Sequence, residues 1–437
     1  MSLGLSTGII IALLFILLGS GLYIGLGLAA VGIFGFELLS NLGQTTGAVL
    51  FNSLYSFPLS AIPMFLFMGQ IVLRSGLSGR LYRGVAQWTR IIPGGLLHSN
   101  IASCSIFAAV SGSSPATAAT IGTVAIPEQE KRGYDITMMT GSLAAGGTLG
   151  ILIPPSINMI VYGAFVGASV GRLFAGGVIP GIILAIMFMF WIAFAALRNK
   201  TLAPPPERIK APRYFLDAII AFKDVWPMIT IIVLIMGSIY GGIMTPTEAA
   251  AASAFLALIL AAGFRKLNYT VVKDSALNTL KVSAMVFLLF IGANLLGNGL
   301  SMLRIPTRIF EMISHLGLSN MQVWLGVVIL YIIMGCLMDT LAMMLITLPV
   351  TYPLMVSLCG FDPIWFGVQL VILCEIGMVT PPVGINLFVI HGIAPQAKMR
   401  QIIVGILPFF VCMVLGLVLY TFVPDLILFL PNSMLGR

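Results

Sequence analysis

Long apolar stretches recur along the whole of this 437-residue chain, and they limit its fold more than any other feature. Hydrophobic residues make up 59% of the chain and charged residues only 8%, whereas about a quarter of the residues in a typical soluble protein are charged. The mean hydropathy is +1.08. Because roughly 20 apolar residues let a helix cross a bilayer, the sequence predicts an all-α polytopic membrane protein without a separate soluble domain.

Ten segments have the length and composition of membrane-spanning helices. We predict them at residues 3 to 20, 24 to 41, 57 to 73, 139 to 165, 174 to 197, 226 to 243, 248 to 264, 283 to 303, 364 to 392 and 402 to 423. Two more apolar regions, 92 to 131 and 322 to 360, are interrupted midway by small or polar residues, which favours re-entrant hairpins. The N-terminal MSLGLSTG has no Lys or Arg, so we expect it to stay as the first membrane helix and not to be a cleaved signal peptide.

The net charge of +8 comes from Lys and Arg residues in loops between apolar segments, so it indicates orientation in the membrane and not a nucleic-acid partner. If the N-terminus lies outside, 18 of the 22 Lys and Arg residues lie inside. The other four are Arg172, Arg304, Arg308 and Arg437. Because positively charged loops stay on the cytoplasmic side, we expect both termini outside.

The cysteines are scattered through apolar segments, with no CxxC or Cys/His spacing. They are Cys104, Cys336, Cys359, Cys374 and Cys412. We interpret them as small core residues and expect neither a disulfide framework nor a cysteine metal site.

The two halves of the chain resemble each other. At an offset of 223 residues, FMGQIVLRSGL (67 to 77) shares five of eleven residues with FIGANLLGNGL (290 to 300). Further along, LGILIPPS (149 to 156) matches IGMVTPPV (376 to 383) at an offset of 227. Each half contains five spans and one hairpin, an odd number of crossings, so the second copy must be inverted relative to the first. Inverted repeats with broken helices are typical of secondary transporters.

An amphipathic segment precedes each hairpin, at residues 77 to 90 and 308 to 316. We interpret both as interfacial arm helices between a fixed scaffold and a moving part, with an inert surface helix as the alternative. The predicted scaffold comprises 1–91 with the first arm, 166–321 with the cytoplasmic linker 198–223 and the second arm, and 393–437 with the C-terminal helix. The predicted transport domain comprises 92–165 and 322–392.

The first hairpin contains SGSSPATAATIGTVAIP, from Ser111 to Pro127, a run of small and hydroxyl residues in apolar surroundings. Small residues permit close helix packing, which is the structural interpretation. Gly112 and Pro115, however, break the helix at membrane depth, where irregular backbone is tolerated only if it lines a cavity or a bound ion. The hydroxyl groups supply hard oxygen ligands for an alkali cation.

The second break is a proline pair, Pro154 and Pro155, inside an otherwise spanning helix. Two prolines remove two backbone donors and free the carbonyls one turn earlier, which can coordinate sodium. The second repeat has the same proline pair, facing a hairpin that runs from Gly335 to Pro349. A structural kink explains one such break, but it explains a duplicated break beside a duplicated hairpin poorly.

Three ionisable residues of the second repeat lie in apolar segments. Asp339, at the predicted tip of the second hairpin, is a functional candidate because carboxylates inside a membrane are costly. Glu375 could carry a proton, orient a ligand or form part of the core. His391 is interpreted as structural. Glu248 is expected to begin a helix, since Thr245, Pro246 and Glu248 form a capping box.

Several motifs together resemble the large membrane subunit of TRAP (tripartite ATP-independent periplasmic) transporters. These are GSSPATAATIG in the first hairpin, the LxPPS break, TPTEAA from Thr245 to Ala250, and TPPVGxN from Thr380 to Asn386. The resemblance covers essentially the whole chain. It implies an elevator-type fold in a bacterial inner membrane, Na+ as coupling ion with no organic cofactor, and import of a small organic anion of the carboxylate, sialic acid or sulfonate type.

The resemblance also implies two partners, a small four-helix membrane subunit and a periplasmic substrate-binding protein. Because the chain begins at the large subunit's own first helix, we expect the small subunit to be a separate chain. The matched positions imply one sodium ion near Ser111, Gly112, Ser114, Gly150, Ile153 and Pro155. They imply another near Gly335, Asp339, Gly377, Thr380 and Pro382. The implied substrate positions are Ser113, Ser114, Pro115, Thr117, Asn158, Thr340, Pro381 and Asn386.

Two other functions remain open from the residues alone. A membrane-embedded enzyme could use Asp339, Glu375 and His391 as an acid/base set, although it would leave the duplicated proline breaks unexplained. A uniporter or channel without ion coupling is the other alternative. No arginine lies at either hairpin tip, so backbone amides, hydroxyls and half-helix N-termini would have to bind an anion.

Overall fold

A computed structural model describes residues 3–36, 44–207 and 210–434, and the regular structure of these residues is helical. The end of the predicted span 24 to 41, part of the linker 198–223, and Arg437 lie outside the described residues. In chain order the helices are α1 Leu3–Gly19, α2 Ile24–Phe34, α3 Gln44–Leu54, α4 Ala61–Arg74, α5 Leu77–Thr89, α6 Leu96–Ser111, α7 Ser114–Lys131, α8 Ile136–Leu152, α9 Ile157–Val166, α10 Val170–Arg198, α11 Ala211–Tyr240, α12 Pro246–Gly263, α13 Tyr269–Met302, α14 Ile305–His315, α15 Asn320–Gly335, α16 Thr340–Tyr352, α17 Pro363–Val379, α18 Ile385–Ile393, α19 Met399–Phe422 and α20 Asp425–Ser433. A 3₁₀ turn, Phe57–Ser60, leads into α4, and a π-helical turn, Pro353–Leu358, continues α16.

The predicted membrane architecture is confirmed. Seven of the ten predicted spans correspond to helical stretches of at least 18 residues that are apolar enough to cross a membrane; one of them joins the 3₁₀ turn to α4, and another joins α8 to α9 across the first proline pair. The other three correspond to the shorter apolar helices α1, α2 and α17. Helix α17 is short because the second proline pair separates it from α18. Both hairpins are present, as α6 with α7 and as α15 with α16.

The predicted cytoplasmic linker is only partly a linker. Its second half belongs to α11, which begins at Ala211, well before the predicted span at 226 to 243. This first part of α11 is helical, but it carries Asp217 and Asp224. Because of these charged residues, its composition is that of a polar linker. Pro212, in its first turn, suits a helix start because its missing N–H has no intrahelical partner there.

Helices α1–α4 and α11–α13 pack together and are called the scaffold group. The closest contact is between α2 and α13, where glycines let the two backbones touch. A Cβ on Gly25 would lie 2.7 Å from the carbonyl oxygen of Leu288, and one on Gly32 would lie 2.7 Å from that of Leu295. The scaffold group therefore behaves as one packed unit.

Helices α6–α10 and α15–α20 form a second unit, called the site group. Here α8 and α19 touch through Gly141 and Gly405, whose α-carbons leave no room for a side chain. Helix α10 also packs on this unit, since a Cβ on Gly177 would lie 2.6 Å from the Leu152 carbonyl oxygen. Helices α10 and α19, which belong to the predicted scaffold, pack with the hairpins and broken helices in the structure.

Gly141→Ala should lower the thermal midpoint of the purified protein, because its Cβ would overlap the Gly405 backbone. We expect a loss of about 1–3 kcal/mol in the free energy of unfolding, the usual cost of overpacking. Gly326→Ala in α15 is the matched control, since no atom lies within 4 Å of its Cβ position and alanine is the better helix former. Equal destabilisation by both changes would contradict the packing described for α8 and α19.

The two arm helices differ in their surroundings. Helix α14 is largely exposed, as expected for an interfacial helix. Helix α5 is instead inserted between the site group and α11. Its buried Tyr82 accepts a hydrogen bond of 2.8 Å from Gln129 of the first hairpin. On the other side, Arg80 and Arg90 form ion pairs of 2.9 Å and 2.6 Å with Asp224 and Asp217 of α11.

Candidate functional site

The tip of the first hairpin lies on the first proline break. Helix α6 ends at Ser111, and Gly112 follows with a positive φ of 60°, a conformation that favours glycine. A Cβ on Gly112 would lie 3.0 Å from the Pro155 carbonyl oxygen. The turn between α6 and α7 therefore contacts the backbone that separates α8 from α9.

Several neutral oxygens meet behind this tip. The hydroxyls of Ser111 and Thr117 lie 2.6 Å apart, and Thr117 also donates to the Ser113 carbonyl oxygen at 2.8 Å. A Cβ on Gly150 would lie 2.7 Å from that carbonyl oxygen. Together with the Pro155 carbonyl, these oxygens are of the hard, uncharged kind that suits an alkali cation, so this part of the chain fits a bound Na+.

The predicted first ion set is thus partly assembled. Ser111, Gly112, Gly150 and Pro155 come together, and Thr117, expected to contact substrate, joins them. Ile153 packs its side chain on α10, 2.7 Å from the Cβ position of Gly181. Ser114 is fully buried, and its hydroxyl accepts a hydrogen bond from Asn386 at 2.8 Å.

The second hairpin and the second proline break form the pseudo-symmetric counterpart of the first hairpin and the first break. Gly335 and Gly377 are in backbone contact, with a Cβ on Gly377 only 2.8 Å from the Gly335 α-carbon. The Cys336 thiol lies 3.2 Å from the Pro381 carbonyl oxygen. The Thr380 hydroxyl donates back to the Ile376 carbonyl at 2.6 Å. The Ile376 and Pro381 carbonyl oxygens lie at this contact, and Asp339 follows Gly335 by four residues on the same hairpin, so the oxygens available here are of the kind that suits a cation.

Asp339 begins the second half-helix of its hairpin. Its Oδ1 accepts a hydrogen bond of 2.7 Å from the Ala342 N–H and so caps the N-terminus of α16. Ser113 stands at the same place before α7, but its side chain makes no capping hydrogen bond. The two pseudo-symmetric helix starts therefore differ in charge.

The two breaks also differ in exposure. Pro154 and Pro155 are buried, whereas Pro381 and Pro382 are exposed. Both proline pairs are joined by cis peptide bonds, but the half-helices that follow begin differently, after Ser156 at a φ of −117° and after Gly384 at a φ of 52°.

A cavity of about 270 Å³ lies where both hairpin tips and both broken helices meet the scaffold group. Seven predicted site residues line it, namely Gly112, Ser113, Ser114, Pro115, Asn158, Asp339 and Thr340. The predicted positions that do not line it are Ser111, Thr117, Gly150, Ile153, Pro155, Gly335, Gly377, Thr380, Pro381, Pro382 and Asn386. They lie at the hairpin tips and breaks around it.

Sequence reasoning missed the apolar wall of this cavity. The scaffold contributes Leu66 of α4 and Val282, Met285 and Val286 of α13. The site group adds Ile151, Ile157, Leu341, Met378 and Ile385. No motif marks these residues, because an apolar side chain facing a cavity and one facing lipid look alike in a membrane protein's sequence.

Asn158 and Asn386 follow the two proline pairs as equivalent residues, at an offset of 228, but they have different partners. Asn386 donates to the Ser114 hydroxyl and to the Ala144 carbonyl, at 2.8 Å and 3.2 Å, and so holds the two repeats together. Asn158 is 2% exposed and lines the cavity, and its side-chain nitrogen has no acceptor among the described residues. It is therefore a free hydrogen-bond donor at the cavity.

The three ionisable residues of the rival acid/base set do not share this cavity. Among the residues described, only Asp339 of the three lines it. Glu375 is fully buried in α17, and neither carboxyl oxygen has a hydrogen-bond partner in the described part of the chain. The His391 Nδ1 lies 3.1 Å from the Ala397 carbonyl oxygen at the end of α18. The capping box at Thr245 and Glu248 is present as predicted.

A family model described as "Tripartite ATP-independent periplasmic transporter, DctM component" matches residues 9–426. The chain is 36% identical to the C4-dicarboxylate TRAP transporter large permease protein DctM of Pseudomonas aeruginosa, over 88% of each chain. It is 34% identical to the Vibrio cholerae protein of the same name, over 98% of each.

A third relative is longer. The chain is 36% identical to the isethionate TRAP transporter permease protein DctMQ of Oleidesulfovibrio alaskensis, covering 95% of this chain but only 64% of that protein. All three relatives are named as transporter permeases, in agreement with the prediction of a transporter and not an enzyme.

Two solved structures share the fold. The YdaH transporter of Alcanivorax borkumensis superposes with a TM-score of 0.58 at 14% identity, over 87% of each chain. MtrF of Neisseria gonorrhoeae superposes with a TM-score of 0.53 at 11% identity, covering 91% of this chain and 85% of that one. At such identities the likeness concerns the fold alone.

Proposed function

The chain belongs to the DctM component family of tripartite ATP-independent periplasmic transporters, and from this premise we propose that it imports a small organic anion together with Na+ by an elevator motion. The anion class is suggested by relatives named for isethionate and C4-dicarboxylates. The observation that carries the proposal is the cavity that both hairpin tips and both broken helices form against the scaffold group.

Sodium coupling is supported by the oxygens around the two hairpin tips. Around the first tip they are hydroxyl and carbonyl oxygens without a carboxylate, from Ser111, Ser113, Thr117 and Pro155. Around the second they are backbone carbonyls near Asp339. Each set joins a hairpin to a broken helix, so an ion held there would keep the hairpin closed on the break. Ion binding would then prepare the cavity for the anion.

The elevator motion is supported by the packing of the two groups. The cavity wall is shared, since Leu66 and Met285 belong to the scaffold and Asp339 and Asn158 to the site group. Moving the site group as one body would carry the tips, the breaks and their ligands together. We include α10 and α19 in the moving body, because their backbones contact α8 or the residues next to the first break.

The partners and the location follow from the family. We propose a small membrane subunit that docks on the scaffold group and a periplasmic binding protein that delivers the anion at the outer face of the bacterial inner membrane. We propose that both termini lie on that outer side, because this orientation leaves 18 of the 22 Lys and Arg residues inside.

Uptake should depend on an inward Na+ gradient. Proteoliposomes containing the chain and both partners should accumulate labelled anions from a panel that includes isethionate and succinate. One net positive charge per cycle would gain about 2.3 kcal/mol per 100 mV of membrane potential, or roughly fiftyfold in accumulation. Replacing Na+ with K+ or choline is the control. Undiminished uptake without Na+ would favour an uncoupled uniporter.

A further inference from the structure

The charges that face the cavity are few. Of the sixteen described residues that line it, Asp339 is the only ionisable one, and none is Lys, Arg or His. Nine are aliphatic or thioether side chains, listed above as its apolar wall. A second anionic group on a ligand would therefore meet no basic side chain there, and burying a charge without a partner is costly.

Only one of the two half-helix starts is free to receive an anion. A helix N-terminus attracts negative charge through its unpaired N–H groups. At α16 the Asp339 carboxylate already occupies that position, bonded to the Ala342 N–H at 2.7 Å. At α7 the Ser113 side chain makes no capping bond, so the N-terminus is open to the cavity that Ser113, Ser114 and Pro115 line.

The Asn158 side chain is a second hydrogen-bond donor at the same cavity, and it differs in this from Asn386 of the other repeat. Asn386 is engaged with the Ser114 hydroxyl of the first hairpin. The residue equivalent to Ser114 in the second hairpin, one position after the N-cap Asp339, is Thr340, and no hydrogen bond joins its hydroxyl to the Asn158 nitrogen. The buried Asn158 nitrogen is thus left without an acceptor at the cavity.

We propose that the transported substrate is an organic monoanion with an apolar body, and not a dicarboxylate. Its single carboxylate or sulfonate binds at the N-terminus of α7 and accepts a hydrogen bond from the Asn158 side chain. Its apolar part lies against Leu66, Met285 and the other aliphatic residues of the wall. This inference rests on the proposed function and narrows its substrate class.

The charge balance of the proposed ion sites agrees with a monoanion. Two Na+ ions and the Asp339 carboxylate leave one positive charge around the cavity, which one anionic group neutralises. A dianion would leave a net negative charge among apolar side chains. The cavity volume of about 270 Å³ accepts an acid with a branched or cyclic body.

The test compares two 2-oxo acids of similar size. In 4-methyl-2-oxopentanoate an isopropyl group takes the place of the carboxymethyl group that carries the second carboxylate of 2-oxoglutarate. The purified full-length chain, with its membrane partner where the two copurify, is heated in NaCl or in KCl with increasing amounts of each acid. We expect the monoanion to raise the thermal midpoint at concentrations at least about tenfold lower than the dianion, and only in NaCl.

Two variants test where the carboxylate and the apolar part of the anion bind. Asn158→Asp puts a negative charge beside the proposed carboxylate position and should raise the required concentration of 4-methyl-2-oxopentanoate at least about tenfold. Asn199→Asp, at an exposed cytoplasmic position, is the charge-matched control. Met285→Lys adds a positive charge to the apolar wall at a side chain that is 45% exposed, so it should shift the preference toward 2-oxoglutarate.

The possible outcomes distinguish the monoanion inference from the proposed function on which it rests. Tighter Na+-dependent binding of 2-oxoglutarate than of 4-methyl-2-oxopentanoate would overturn the monoanion inference and leave Na+-coupled anion transport standing. No stabilisation in NaCl by either acid, isethionate or succinate would count against the proposed function itself. Unchanged monoanion binding by Asn158→Asp would remove Asn158 from the site.

Discussion

Gly150→Ala should abolish most Na+-driven uptake, by up to about a hundredfold, because the new methyl group would occupy the first proposed ion site. Its Cβ would lie 2.7 Å from the Ser113 carbonyl oxygen and 2.8 Å from the Thr117 hydroxyl. The carbonyl cannot move away without displacing the hairpin tip. A local overpacking cost of about 1–3 kcal/mol would therefore fall directly on the ion-binding oxygens. Initial uptake rates in proteoliposomes measure the effect.

Two further variants distinguish ion binding from general damage. Gly392→Ala in α18 is the matched control, since no atom lies within 4 Å of its Cβ position. Thr117→Val keeps the side-chain shape and removes the hydroxyl. It should lose the Na+-dependent rise in thermal midpoint that a bound ion confers, while the midpoint in KCl changes little. A normal Na+ response in Thr117→Val would exclude this hydroxyl as a ligand.

The backbone architecture was largely predictable, because hydropathy and glycine or proline placement act locally. The proline pairs end α8 and α17 where predicted, and Gly112 turns the chain at the first hairpin tip. The internal repeat also predicted that these features would meet around one site. Each of these inferences needs only the chain's own backbone chemistry.

The partners of individual side chains were not predictable in the same way. Asn158 and Asn386 occupy equivalent sequence positions, yet Asn386 binds Ser114 and Asn158 faces the cavity. Residue type does not explain the difference, since the position after the N-cap is a hydroxyl residue in both hairpins, Ser114 and Thr340. The packing of α10 and α19 on α8 depends on glycine contacts between distant segments, such as Gly141 with Gly405.

A disulfide between the two groups should stop transport completely if the site group moves as a body. Gly297 of α13 and Pro349 of α16 face each other, and a Cβ on Gly297 would lie 3.3 Å from the Pro349 Cβ. This separation is close to the ~3.5–4.5 Å of native disulfides. We expect the double variant Gly297→Cys/Pro349→Cys to lose uptake on oxidation and to recover it on reduction.

The single variants are the controls for this experiment, and each should keep its uptake under both conditions. The five native cysteines need not be removed, since the singles report on any pairing with them. Gel mobility after limited proteolysis gives the cross-linked fraction. Full uptake by the cross-linked protein would mean that the anion passes a local gate while the two groups stay in place.

The unequal exposure of the two proline breaks has a broader consequence. Two copies of one ancestral unit stand in this molecule in different environments, Pro154 and Pro155 enclosed and Pro381 and Pro382 uncovered. Under the proposed elevator motion, the conformation of each half would be the one that the other half adopts in the oppositely facing state. Exchanging the two conformations would turn the opening to the opposite face of the bilayer without any new kind of contact. Under the proposed function, directionality would then be imposed from outside the polypeptide, by the ion gradient and by the protein that delivers the anion on one side.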